Sequence, residues 1–127
     1  MTDQAPVMVL VTMQRTCARL IRSGAEMAMK KGVPLKVVHV AAKRDEAPET
    51  SAIDAQTLDY LYALAGEVNA EMCVLSTEVP VVAMADYAQE HGVKHVVMGN
   101  GEYAHSIAET LSSFLPGVHI VIMDNEV

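Results

Sequence analysis

Five short, mostly apolar runs, at residues 7–12, 35–40, 72–76, 94–99 and 118–123, alternate with four longer segments whose apolar residues return every three or four positions. A brief apolar run bounded by polar or turn residues suits a strand buried on both faces, and the longer period marks one face of a helix. Strict alternation of the two predicts right-handed βαβ crossovers, and so a parallel sheet with helices on both sides. No repeat, linker or low-complexity tract interrupts the series. One domain spanning residues 1–127 is expected, because a chain of that length can bury roughly two-thirds of the surface its unfolded form exposes.

Local signals place the boundaries. Thr16 precedes a segment in which Cys17, Leu20, Ile21, Gly24 and Ala28 share a helical face. Lys30 and Lys31 sit where cations meet the negative end of the helix dipole, Gly32 can take the left-handed conformation that closes a helix, and Pro34 blocks continuation. Residues 41–50, with Lys43, Arg44, Asp45, Glu46 and Pro48, read as an exposed loop. A second helix is predicted over 53–68, with Leu58, Leu61, Leu64, Ala65 and Val68 inward and Asn69 closing it. Gly66 within it costs about 1 kcal/mol relative to alanine. Ser76 or Thr77 can cap a third helix that has Pro80 in its first turn, Val81, Met84, Ala85 and Ala88 inward, and Gly92 at its end. The fourth, over 104–115, lines up Ile107, Ala108, Leu111 and Phe114, and Pro116-Gly117 turns the chain into the last strand.

Composition narrows the function classes. Apolar residues make up 51% of the chain and aromatics only 4%, so aliphatic side chains and nine methionines fill the core. Sixteen acidic against nine basic residues give a net charge of −7, which opposes binding to phosphate polyanions; no nucleic-acid partner is expected. Residues 1–6 carry no basic cluster and the apolar run at 7–11 is too short for a signal sequence or a membrane span, so a cytoplasmic protein without a membrane partner is expected. Cys17 and Cys73 have neither metal-knuckle nor redox-pair spacing and read as buried structural thiols.

Several strings resemble a universal stress protein domain, over nearly the whole length. They are Val7-Met8-Val9-Leu10-Val11 followed by Arg19-Leu20-Ile21, then Val37-Val38-His39-Val40, His95-Val96-Val97-Met98-Gly99, and Ser106-Ile107-Ala108-Glu109 leading to Leu115-Pro116. The stretch through Arg22 is similar to the universal-stress-type domain of potassium-responsive sensor histidine kinases. The resemblance implies an α/β fold: a three-layer α/β/α, Rossmann-like (adenine nucleotide alpha hydrolase-like) arrangement with a five-stranded parallel sheet in the order 3-2-1-4-5. It implies a ligand crevice between the loops after the first and fourth strands, where the winding of the sheet reverses.

Nucleotide-binding members carry an Asp at the end of the first strand. After the fourth comes a glycine-rich stretch, G-x2-G-x9-G-S/T, whose backbone amides hold phosphates. Thr12 stands at the Asp position, and only residues 100–105 separate Gly99 from Ser106, where the pattern has thirteen. Gly101 falls one position early for the second glycine. The expectation is a truncated phosphate cradle and no obligatory cofactor, ATP or another nucleotide being the ligand class the resemblance raises. Val40 matches the residue that family members place against adenine. Thr12, Gln14, Arg15, Val40, Gly99, Asn100, Gly101 and Ser106 are the ligand-binding candidates.

Each candidate has a plainer reading. Arg15 can meet a phosphate and Gln14 a base or amide, or both belong to a solvated loop. Asn100-Gly101 suits a tight turn. His91 and His95 are split by Gly92 and do not share a helical face as a metal pair requires. Glu102, His105 and Glu109 have helical spacing typical of surface pairing. His39 and His119, inside strands, read as packed, hydrogen-bonded residues. Ser76-Thr77 and Ser112-Ser113 lack a nucleophile-elbow context, and a phosphoacceptor receiver would need acids where Thr12-Met13-Gln14 and Ser76 stand. No catalytic residues are assigned and an enzyme is not expected.

The last strand is apolar on both faces although the implied order puts it at an edge, which invites pairing with another chain. A homodimer through Val118, Ile120 and Ile122 is expected; the alternative is an edge shielded by the tail at 124–126.

Overall fold

In the computed structural model, residues 5–11, 18–42, 51–100 and 104–123 are described. The elements are β1 (Val7–Val11), α1 (Ala18–Lys31), β2 (Leu35–Ala42), α2 (Ser51–Glu67), β3 (Glu71–Thr77), α3 (Pro80–Glu90), β4 (His95–Gly99), α4 (Ala104–Phe114) and β5 (His119–Met123). The strands form one parallel sheet in the order β3-β2-β1-β4-β5.

Side chains alternate between the faces of a strand, so a sheet covered on both sides must be apolar at every position. β1 obeys this fully. Val7, Val9 and Val11 pack with Leu20 and Ile21 of α1 and Leu61, Leu64 and Ala65 of α2, while Met8 and Leu10 pack with Ala85 and Ala88 of α3 and Leu111 of α4. Three helices close alike. Gly32, Asn69 and Gly92 take positive φ of 67, 58 and 66°, and in each case the residue itself and the next donate back to carbonyls of the last turn. For α1 these bonds run from Gly32 N to Met29 O and from Val33 N to Ala28 O, the pairing of a Schellman stop.

Local expectations fail where a neighbour decides. β2 runs on to Ala42 rather than ending at Val40, because β3 is also longer and pairs Ala41 with Ser76 and Ala42 with Thr77. The N-cap of α3 is Val79, not Ser76 or Thr77; the Thr77 hydroxyl instead accepts the Val79 N–H at 3.1 Å in a local turn. Phe114 is 44% exposed, since Leu115 takes the inward place after Leu111. Tyr87, not foreseen in the core, is buried in α3. Cys73 is only half-buried because β3 is an edge strand, and Cys17 lies outside the described residues. His39 is hydrogen-bonded as expected. His119 is exposed rather than packed, because β5 is the other edge, and it stacks on His95.

Gly24 lets α1 lie close to the sheet: a Cβ there would run into Val9 Cγ2 and come within 3.3 Å of Leu35 Cδ1. Gly66 of α2 has nothing within 4 Å of that position. Gly24→Ala should therefore destabilise by about 1–3 kcal/mol through overpacking. Gly66→Ala should stabilise by about 0.5–1 kcal/mol through helix propensity. Urea unfolding of the two variants checks the opposite signs.

Candidate functional site

β1 has β2 on one side and β4 on the other, and the chain leaves these strands for different faces of the sheet. In open α/β sheets such a reversal places a ligand crevice above the carboxyl ends of the two strands. Its floor is Val11 and Met98, both buried, with Leu10 and Met98 as the last register pair.

On the β2 side, His39 Nδ1 lies 2.9 Å from the carbonyl oxygen of Val11. A carbonyl only accepts, so Nδ1 is the donor of this bond. The bond links Val11, the last residue of β1, to its register partner His39 in β2. Val40, half-buried, turns to the other face and packs with the α3 and α4 cluster. On the β4 side, Gly99 is half-buried and Asn100 exposed, and the Asn100 N–H donates to Met123 O at 2.8 Å, which ties the start of the loop to the end of β5. Ser106, exposed in the first turn of α4, accepts the Thr110 hydroxyl at its carbonyl, 3.1 Å away.

Of the ligand-binding candidates, Val40 lies near the end of β2, Gly99 ends β4, Asn100 follows it and Ser106 is in the first turn of α4, whereas Thr12, Gln14, Arg15 and Gly101 lie outside the described residues. His39, bonded to the last residue of β1, is the residue that its strand position concealed. The clue was its place next to Val40, at the strand end where this class of sheet binds ligands.

α1 and α4 both start at this end of the sheet, at Ala18 and Ala104, and neither has an acidic residue in its first turn. The positive dipole ends therefore favour an anion or a polar, electron-rich ligand. The main ionic groupings lie at the opposite end. Lys36 Nζ binds Glu71 Oε1 at 2.7 Å, a hydrogen bond that holds the Glu71 carboxyl below its ordinary range. Tyr87 lies against His91 with ring centroids 4.1 Å apart and planes tilted by 38°, and burial, with Cys73 and the nearby glutamates adding to it, pushes its phenol up to about 12. No group of three or more metal-ligating side chains converges among the described residues.

No family model matches the sequence, and no curated protein matches it. Solved structures do. A universal stress protein from Archaeoglobus fulgidus superposes with a TM-score of 0.70 at 22% identity, covering 93% of this chain and 92% of its own. A universal stress protein from the same organism, in complex with dAMP, gives 0.66 at 21% identity over 96% and 98% of the two chains. A universal stress protein in complex with cAMP gives 0.67 at 15% identity over 98% and 100%. The chain has the fold of these proteins, with the sheet order that the resemblance implied.

Replacing His39 by Phe keeps the ring and removes the donor to Val11. The loss of one net hydrogen bond should cost about 0.5–1.5 kcal/mol. Urea unfolding measures it, and an unchanged midpoint would show that the bond contributes nothing.

Proposed function

We propose that this chain is a universal-stress-type binding and regulatory module, acting in the cytoplasm in stress response or signalling as a homodimer joined through β5, with little or no affinity for ATP. The observation that carries this reading is the connection after β4: only residues 100–103 lie between Gly99, the last residue of β4, and Ala104, the first of α4. Four residues supply few backbone amides, and a triphosphate needs a run of them or a cation. Thr12 in place of a ribose-binding carboxylate points the same way. Association is favoured by the edge: among the described residues β5 pairs only with β4, and Ile120, Val121, Ile122 and Met123 are half-buried, as is Val118 just before the strand. The likeness of residues 7–22 to the domain of sensor kinases supports a signalling role.

A second reading is a sensor of a small nucleotide carrying one phosphate. It is favoured by the two helix N-termini without first-turn acids, and by the dAMP and cAMP complexes of similarly folded proteins.

Sedimentation at micromolar concentration should give a dimer, and a strict monomer would contradict the proposal. Calorimetric titration with ATP should give no heat of binding. Heat with AMP or cAMP, and none with ATP, would favour the sensor.

A further inference from the structure

His95 of β4 and His119 of β5 are register partners at the end of the sheet opposite the crevice. Their ring centroids lie 5.3 Å apart with planes inclined by 20°. Two residues on from His95, Val97 packs with α1 and α2, whereas Val96 and Met98 pack with α3 and α4. Alternation therefore puts both imidazoles on the α1 side. His119 is exposed and His95 half-buried. Among the described residues, neither ring hydrogen-bonds to another group.

Two imidazoles held side by side on adjacent strands are near enough to share one cation once their rings turn. The outer torsion of histidine is broad, so a modest rotation of each ring can turn a nitrogen toward a shared cation, at about 2.0–2.1 Å from each. We propose that His95 and His119 form an exchangeable site for a late first-row divalent metal, copper(II) above all, with water completing its coordination shell.

The donor set selects the metal. Imidazole nitrogen suits copper, nickel and zinc, whereas magnesium and calcium require oxygen ligands. Two imidazoles with water completing the shell describe an open site, not a closed structural one. Lys31, in the last turn of α1, is close enough to act on His95 and opposes a cation. The negative end of the α1 dipole, at the same turn, acts in the opposite sense. The site is independent of the crevice and of any role given to it.

Calorimetry of the whole chain with copper(II), nickel(II), zinc(II) and magnesium chlorides tests the proposal. One site per chain is expected, tightest for copper(II) and silent for magnesium. His119→Ala and His95→Ala should each weaken copper(II) binding at least tenfold, with His105→Ala unchanged. In the unaltered protein, copper(II) should broaden amide resonances first around residues 94–96 and 118–120, a readout that needs no variant. Failure to bind copper(II), undiminished affinity in His119→Ala, or broadening centred elsewhere would overturn it.

Discussion

The fold depends on the complete burial of β1. Val7, Met8 and Val9 have no exposed surface, and Leu10 and Val11 are 8% and 5% exposed. Each such aliphatic side chain contributes about 1.5–3 kcal/mol by leaving water. That gain requires cover on both faces, so the helices divide: α1 and α2 shield the valines while α3 and α4 shield Met8 and Leu10. The division also makes β1 the strand at which the winding reverses. The burial that stabilises the sheet thus also sets where a sheet of this class places its crevice, at the carboxyl end of β1.

Much of this was legible in the sequence because the signals were local and repeated. Apolar runs without alternation announced strands buried on both faces, and Gly32, Asn69 and Gly92 marked three helix ends by their tolerance of positive φ. The strand order came from the resemblance rather than from any periodicity, since no local pattern says which strand lies beside which. What was misread depended on neighbours. Ala41 and Ala42 look like loop until β3 is seen to continue beside them. Phe114 reads as inward by spacing, yet Leu115 fills that place. The valine that caps α3 carries no signal of its own.

The site was half-legible. Val40, Gly99 and Asn100 lie at or near strand ends and Ser106 in the first turn of α4, which the alternation of elements already indicated. His39 was hidden: a histidine in a strand reads as a core residue until its bond to the Val11 carbonyl ties it to the end of β1. The exposed stack of His95 and His119 was likewise invisible, because it depends on the register between β4 and β5.

The account turns on the brevity of the connection from Gly99 to Ala104 as the cause of weak triphosphate binding. Its most direct test lengthens that connection. Seven residues containing glycine, inserted between Asn100 and Ala104, would restore the thirteen of the nucleotide-binding pattern before Ser106, and ATP affinity is then compared with that of the unaltered chain by fluorescence of a labelled ATP analogue. The account predicts at least a tenfold gain in affinity; equal affinity in the two proteins would contradict it.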